Sequence, residues 1–237
     1  MECQNWDKSS WLSSEDYFSS LIDQILSQVN IGKNDQVLDI GCGRGYLLNK
    51  LKQKVDFISI PIGVDSVNHQ KEFNQDLIFV NDSILNYLKN SNLNFDIIFI
   101  KQMLHLLSPE ERSMLYDQLK NKLSNNGTLI ILYLSKDNSL PTFPLMEAYL
   151  QQSLLIHDTI EDEIHQYFNH QKIVKFTYSV SIDKHEYLQM IKNKFMTVLL
   201  NMNSNQIEEG ISFIDENYED TIKFNDELLI NIINYAI

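Results

Sequence analysis

The chain has 237 residues, of which 43% are hydrophobic and 22% charged, a balance typical of a folded protein with a sizeable core. Its net charge of −13 and isoelectric point of about 4.8 argue against nucleic acid or an anionic membrane as the main partner, because both attract surfaces rich in Lys and Arg. The two cysteines, Cys3 and Cys42, are too few for a disulfide framework, so we expect a reducing, cytoplasmic compartment.

The first thirty residues are expected to form a polar arm and one amphipathic helix. They show no signal-peptide pattern, and no apolar run in the chain reaches the roughly 18 residues that a membrane span needs. Apolar residues recur at helical spacing between Tyr17 and Val29, and Ser13 or Ser14 can cap the helix start. Packing of this helix against the core would by itself explain its aromatic residues.

A strand, a glycine loop and a helix start follow one another at residues 37–48. Val37–Ile40 is a short apolar strand, and Gly41, Gly43 and Gly45 allow a sharp turn close to a ligand. A dinucleotide fingerprint requires G-x-G-x-x-G, whereas the spacing here is G-x-G-x-G. The preceding acid, Asp39, would repel a pyrophosphate but suits a cation such as an α-ammonium or a sulfonium. A purely structural corner is the alternative.

Four more strand-like segments alternate with helical ones as far as residue 135. This alternation predicts a parallel sheet with right-handed crossovers. Pro61 lies inside the second segment and indicates a bulge, or a strand confined to residues 62–64. The predicted strands cover residues 57–64, 77–80, 94–100 and 128–134.

Two acids follow predicted strands at the edge where a doubly wound sheet binds its ligand. Asp65 ends the second strand, 20 residues after Gly45, and an acid there can accept both hydroxyls of a ribose. This role serves a nicotinamide cofactor equally well. Asp82 follows the third strand, where it either contacts a ligand or caps the helix that starts at Ser83 or Ile84.

The segment DIGCGRG at residues 39–45, with these acids in this order, resembles motif I and the following strand ends of the class I S-adenosylmethionine-dependent methyltransferases that act on small molecules. The resemblance implies an α/β, Rossmann-like sheet of seven strands, mostly parallel with an antiparallel last strand, and a helical insertion after the fifth strand. It also implies S-adenosylmethionine as cofactor and S-adenosylhomocysteine as product. The cofactor-binding residues that it implies are Asp39, Gly41, Cys42, Gly43, Asp65, Ser66, Asp82, Ser83 and Lys101.

The resemblance further implies a single domain. Residues 1–30 would be the arm and a lid helix, residues 31–135 the cofactor-binding half, residues 141–170 a helical cover, and residues 171–237 the C-terminal strands and helices. The cover is predicted to contain two helices. Near the C-terminus, Asn225-Asp226 is predicted to be a turn between two strand-like segments.

Candidate substrate-binding residues lie in the lid and the cover. They are Trp11, Tyr17, Tyr149 and His157. His157 also forms a four-residue series with Glu161 and His165, which is compatible with a metal site, a solvated polar face or a histidine facing the substrate. The pattern H-x-x-x-E-x-x-x-H is not a recognised ligand motif, so no metal is expected.

Methyl transfer is an in-line displacement that depends on alignment and on exclusion of water, and it needs a general base only when the acceptor must lose a proton. His105, just after the fourth strand, is the candidate base by position. Lys101 would anchor a carboxylate acceptor or lie near the cofactor. The D/N-P-P-Y/F tetrapeptide of many nucleic-acid and protein amino-methyltransferases is absent after this strand, which together with the acidic isoelectric point favours a small-molecule acceptor. We expect methylation on an oxygen or a nitrogen of that acceptor.

Two other functions are compatible with the sequence. The chain could be a catalytically silent methyltransferase-like subunit that binds cofactor or a partner. It could also be a nicotinamide oxidoreductase, although the glycine spacing disfavours that class. The acceptor and the oligomeric state do not follow from the sequence.

Overall fold

The computed structural model describes residues 10–71, 74, 76–169 and 171–235, so Cys3 lies outside the described residues. Seven strands form one sheet in the order β3-β2-β1-β4-β5-β7-β6. Neighbours from β3 to β5 pair in parallel, and β7 runs antiparallel between β5 and β6. This confirms the predicted architecture. The strands are β1 Val37–Ile40, β2 Ile62–Asp65, β3 Ile78–Asn81, β4 Phe95–Lys101, β5 Leu123–Leu134, β6 Gln171–Asp183 and β7 Thr221–Asn234.

Helices cover both faces of the sheet. Alternate residues of β4 separate the two layers of core, because successive side chains of a strand point to opposite faces. Ile97 and Phe99 belong to the layer under α1, α2, α6, α8 and the first half of α5, whereas Ile98 and Ile100 belong to the layer under α3, α4 and the second half of α5. The helices are α1 Glu15–Leu26, α2 Tyr46–Lys54, α3 Ile84–Asn90, α4 Pro109–Lys122, α5 Pro144–Tyr167, α6 Lys184–Lys192, α7 Thr197–Leu200 and α8 Ser204–Asn217.

Strand β2 is as short as Pro61 indicates. It begins at Ile62, and the carbonyl of Pro61 accepts a hydrogen bond from the amide of Ile78 on the neighbouring strand. Proline has no amide hydrogen for the ladder, so regular pairing starts only after it. The preceding residues Ile58 and Ile60 are exposed instead of lying in the sheet.

The predicted pair of helices in residues 141–170 is wrong. One helix of 24 residues, α5, occupies this segment. Its interior contains neither Gly nor Pro, so nothing interrupts its hydrogen bonds, and its apolar stripe continues from Met146 to Ile164. The consequence is that Tyr149 and His157 lie on one rigid element.

The predicted turn at Asn225-Asp226 is also wrong. Both residues lie inside the uninterrupted strand β7, where Asp226 is paired with Tyr178 of β6. Tertiary contacts override the turn preference of Asn and Asp here, because buried donors satisfy the Asp226 carboxylate.

Helices in the described part of the chain lack any stretch long and apolar enough to traverse a bilayer.

Candidate active site

The glycine loop between β1 and α2 lies at the carboxyl edge of the parallel strands. Gly41, Gly43 and Gly45 all adopt positive φ, of 69°, 52° and 75°, which other residues adopt only with strain. A β-carbon at Gly41 would come within 2.8 Å of the Met103 side chain, so this position has no room for one. At Gly43 a β-carbon would meet no atom within 4 Å, so open space lies beside the loop at this point.

Asp65, the last residue of β2, holds the glycine loop in place. Its Oδ2 accepts a hydrogen bond from the Gly43 amide and its Oδ1 one from the Val67 amide, both at 2.8 Å. A carboxylate has about four lone-pair positions, so two remain for the hydroxyls of a ligand. The same side chain can therefore shape the loop and receive a ribose.

Asp39 is buried beneath the loop, with only 2% of its surface exposed, and its Oδ1 has no hydrogen-bond partner in the described structure. Burial raises the pKa of its carboxyl from 3.8 to about 8, and the Asp65 charge adds to this effect, whereas the Lys101 charge opposes it. A buried acceptor without a donor is costly unless a ligand completes it. This vacant acceptor fits the α-ammonium group of an amino-acid-bearing cofactor such as S-adenosylmethionine.

The other predicted cofactor-binding residues have partners within the protein or are exposed at the surface. Asp82 accepts hydrogen bonds from the Ser83 amide at 2.8 Å and from the Asn86 side chain at 2.7 Å, so it stabilises the start of α3. Its free lone pairs still leave room for a donor from a ligand. Ser66 and Ser83 are exposed at the same edge. Burial, with the charges of Asp39 and Asp65, raises the pKa of the Cys42 thiol, which therefore stays protonated.

Lys101, the last residue of β4, interacts with two buried acids and with a ring of the N-terminal helix. Its ammonium is 5.7 Å from the centre of the Phe18 ring. Burial lowers the pKa of Lys101, while the charges of Asp226 and Asp39 act in the opposite direction. Lys101 does not line the cavity described below, so an acceptor in that cavity would not touch its ammonium.

Asp226 is a site residue that the sequence analysis missed. It is 4% exposed; its Oδ2 accepts a hydrogen bond from the Trp11 indole at 2.9 Å and its Oδ1 one from the Asn138 side chain at 3.2 Å. These contacts join β7 to the N-terminal segment and to the loop after β5. Trp11 is 215 residues from Asp226 along the chain, and Asn138 is 88 residues from it. No local sequence pattern predicts hydrogen bonds between such distant residues, and the dipeptide Asn-Asp is typical of a turn.

A cavity of about 150 Å³ opens beside the ends of β4 and β5, covered by α5 and α7. Gln102 belongs to its wall and adopts a positive φ of 51°, a strained conformation for a non-glycine residue that is common at functional sites. The wall is largely apolar, and Leu106, which is 61% exposed, lies at its rim. Its leucines are Leu12, Leu106, Leu134, Leu140, Leu150 and Leu154.

Two histidine rings are neighbours in this wall, in an edge-to-face arrangement. The ring centres of His105 and His157 are 6.2 Å apart, and the His157 Nδ1 donates a hydrogen bond to the Leu134 carbonyl at 3.2 Å. Burial, with the neighbouring His157, lowers the pKa of His105 from 6.5 to about 4. Burial also lowers the pKa of His157. Both rings are therefore neutral at pH 7, and a neutral imidazole can accept a proton.

The structure brings together only some of the predicted substrate residues. Trp11 and His157 line the cavity, as does His105. Tyr17 does not, because it is fully buried among the rings of Phe18, Phe176 and Tyr178. Tyr149 is half-buried against the same core layer and also lies outside the cavity wall.

The series His157, Glu161 and His165 forms no common site. The Nδ1 of His157 contacts the Leu134 carbonyl, whereas that of His165 contacts the Glu161 carbonyl at 2.7 Å. Residues 10–71, 74, 76–169 and 171–235 contain no group of three or more His, Cys, Asp or Glu side chains placed to hold a metal ion. His170 lies outside the described residues.

The sheet order, the glycine loop and the acids below it define a class I S-adenosylmethionine-dependent methyltransferase fold. A family model described as "Methyltransferase domain" matches residues 31–195, so the chain belongs to this methyltransferase family, whose cofactor is S-adenosylmethionine. It is 31% identical to the phosphoethanolamine N-methyltransferase of Plasmodium falciparum over 130 residues, which are 51% of this chain and 48% of that protein. The chain spans about half the length of the curated relatives that it matches.

Solved structures show the same fold at low sequence identity. A SAM-dependent methyltransferase from Archaeoglobus fulgidus is 18% identical with a TM-score of 0.57, and the match covers 94% of this chain and 95% of that one. The plantazolicin methyltransferase BpumL, in complex with a monoazolic desmethylPZN analog and SAH, is 19% identical with a TM-score of 0.51. That match covers 98% of this chain and 88% of that one.

Proposed function

We propose that the chain transfers the methyl group of S-adenosylmethionine to an oxygen or nitrogen of a small-molecule acceptor. The observation that carries this proposal is the cavity of about 150 Å³ at the strand edge that also bears the glycine loop. Ligands of doubly wound sheets bind at this edge. The relative named phosphoethanolamine N-methyltransferase supports a small acceptor.

The cofactor residues have distinct roles in this proposal. Asp39 would pair with the ammonium of the cofactor, and Asp65 would accept hydrogen bonds from its ribose hydroxyls. The open space beside Gly43 would allow the cofactor to lie close to the loop backbone. Asp82 would accept a hydrogen bond from the adenine of the cofactor while it also stabilises the start of α3. When bound, the cofactor supplies an electrophilic methyl group.

The residues of the cavity hold the acceptor and keep water away from it. The apolar wall excludes water, which strengthens electrostatic interactions inside the site. His105, neutral at physiological pH and part of that wall, accepts the acceptor's proton where the acceptor must lose one. His157, fixed to the Leu134 carbonyl, packs beside the His105 ring and holds it in the wall.

Replacement of Asp65 by alanine tests the cofactor site. Two loop amides lose their acceptor and the ribose hydroxyls lose theirs, so we expect the affinity for S-adenosylhomocysteine to fall by about 10- to 100-fold. Calorimetric titration measures this change, with Asp56→Ala, an exposed acid ahead of the same strand, as the control. Unchanged affinity in Asp65→Ala, or tighter binding of NAD than of S-adenosylhomocysteine, would contradict the assignment.

Methyl release from labelled S-adenosylmethionine across a panel of small metabolites tests the reaction itself. We expect turnover with at least one hydroxyl- or amine-bearing compound. Binding of S-adenosylhomocysteine without turnover of any compound would instead favour a catalytically silent binding subunit.

Replacement of His105 by alanine is expected to lower kcat/KM by about 10²- to 10⁴-fold for an acceptor that must lose a proton, because the general base is gone. The affinity for S-adenosylhomocysteine should stay the same. In the unmodified protein, the acid limb of the rate profile should lie near pH 4, the value of the shifted His105 pKa, instead of near 6.5. The exposed His185→Ala variant is the control, and equal rates in the two variants would exclude His105 as the base.

A further inference from the structure

The charges of the cavity wall restrict the acceptor beyond its being small. Asp226 is the acid of the wall, and neither Lys nor Arg is among the residues that line it. Burial raises the pKa of its carboxyl, whereas the Trp11 hydrogen bond and the Lys101 charge act in the opposite direction and favour the carboxylate. The two histidines of the wall are neutral, because burial lowers the pKa of each. An acceptor in the cavity therefore touches a carboxylate and no Lys or Arg, since Lys101, whose charge acts on Asp226, lies outside the wall.

The Asp226 carboxylate is positioned to receive a further donor. The buried Tyr17 hydroxyl interacts with this carboxylate. The Trp11 indole and the Asn138 side chain each contribute one hydrogen bond, one to each carboxylate oxygen, so at least one of about four lone-pair positions remains. These two donors also fix the orientation of the carboxylate at the cavity wall. An amine or a hydroxyl of the acceptor can bind here, whereas a carboxylate or phosphate would be repelled.

The size and polarity of the cavity restrict the rest of the acceptor. A cavity of about 150 Å³ with apolar walls holds a molecule of about the size of benzene. Half of the lining residues are Leu, Val, Phe or Met, and Trp11 and Tyr133 add two aromatic side chains. A body covered with hydroxyl or charged groups would lose its hydration without finding partners.

We propose that the acceptor is a compact, mainly apolar molecule of about one ring, that it carries an amine or hydroxyl which Asp226 binds, and that anionic acceptors are excluded. This inference rests on the proposed function and names the substrate class of the same site. It separates the chain from a relative whose name specifies a phosphorylated amine. It also excludes the carboxylic acids that Lys101 would have anchored, since Lys101 lies outside the cavity.

Four probes of known charge test the proposal on the unmodified protein. Benzylamine, benzyl alcohol and benzoate share one ring and differ in charge, and phosphoethanolamine is a small phosphorylated amine. Each is titrated by calorimetry into protein saturated with S-adenosylhomocysteine. We expect dissociation constants on the order of 1 mM for benzylamine and benzyl alcohol and values at least about tenfold weaker for benzoate and phosphoethanolamine.

The Asp226→Asn variant identifies the residue responsible. Asparagine keeps the shape and an acceptor for the Trp11 indole, so we expect the preference for benzyl alcohol over benzoate to fall to less than about threefold. Asp117→Asn, an exposed residue on α4, should keep the full preference. Benzoate or phosphoethanolamine binding as tightly as benzyl alcohol, an unchanged preference in Asp226→Asn, or no binding of either uncharged or cationic probe at 20 mM would overturn the proposal.

The same titrations separate this inference from the proposed function. Saturation with S-adenosylhomocysteine comes first in each experiment. If S-adenosylhomocysteine does not bind, the proposed function is contradicted. If it binds but benzoate or phosphoethanolamine binds as tightly as benzyl alcohol, only the substrate class is contradicted.

Discussion

Replacement of Arg112 by alanine is expected to lower the free energy of unfolding by about 3 kcal/mol. Arg112 is 1% exposed; its Nε and Nη2 donate hydrogen bonds to the two carboxylate oxygens of Glu163, each at 2.7 Å, and its Nη1 donates one to the Leu107 carbonyl. The variant leaves the partly buried Glu163 without its cation and the carbonyl without its donor. Chemical denaturation at pH 7 measures the loss.

Two controls show whether the buried ion pair is the cause. Lys136→Ala removes an exposed ion pair with Asp158 and should change stability by less than about 1 kcal/mol. The double variant Arg112→Met with Glu163→Leu removes both charges and should recover most of the loss, because apolar residues can replace a buried pair. A double variant as unstable as Arg112→Ala would show that the hydrogen bond to Leu107 matters more than the pair.

The Arg112 contacts also explain how the cavity keeps its shape. Leu107 directly follows the turn that carries His105, and Glu163 is on α5, six residues beyond His157. Arg112 thereby connects the two elements that bear the neighbouring histidines. Loss of this connection should affect activity more than it affects binding of S-adenosylhomocysteine, since the cofactor residues lie on other elements.

Replacement of Asp39 by asparagine is expected to stabilise the ligand-free protein and to weaken cofactor binding in the same variant. The pKa of Asp39 is raised from 3.8 when unfolded to about 8 when folded, so the folded state favours the protonated form. Its contribution to stability is therefore full below about pH 3.8 and is lost as the pH rises towards 8, at about 1.4 kcal/mol per pH unit. Asparagine does not ionise and avoids this loss.

Denaturation of both proteins at pH 5.5 and pH 8 isolates the effect, because all other titrating groups are shared. We expect the stability advantage of Asp39→Asn to grow by about 3 kcal/mol between these pH values. Calorimetry should show at least about tenfold weaker binding of S-adenosylhomocysteine, since the ammonium loses its carboxylate partner. An advantage that does not change with pH would show that Asp39 does not titrate in this range.

The contrast between Asp65 and Asp226 shows how far sequence reasoning reached. Asp65 could be predicted because strand, loop and strand end lie within about 30 residues, so their order along the chain determines their order in space. Asp226 could not, because its partners are supplied by the first turn of the structure and by the loop after β5. A local pattern contains no information about which distant donors will satisfy a buried carboxylate.

Secondary structure in residues 141–170 was likewise only partly predictable from local patterns. Apolar periodicity predicts two helices in residues 141–170, whereas the structure has one continuous helix, since spacing alone does not show where an uninterrupted helix ends. The family resemblance implies that Tyr17 belongs to a lid over the substrate, yet the structure packs it among Phe18, Phe176 and Tyr178. Whether an aromatic side chain faces a ligand or the core depends on the direction in which its helix faces the sheet.

By itself, the sequence determined the alternation of strands and helices and the strand–glycine loop–helix corner with its acids, because these features follow from local periodicity, glycine spacing and chain order. The methyltransferase fold was implied by the resemblance of this corner to a known family. Only the tertiary structure decided what surrounds the acceptor. The cavity wall brings together Trp11, His105, His157 and Asp226 from four separate elements. Burial lowers the pKa of both histidines, while the hydrogen bond from Trp11 opposes the effect of burial on the Asp226 carboxyl. Distance between elements and exclusion of water are properties of the folded chain.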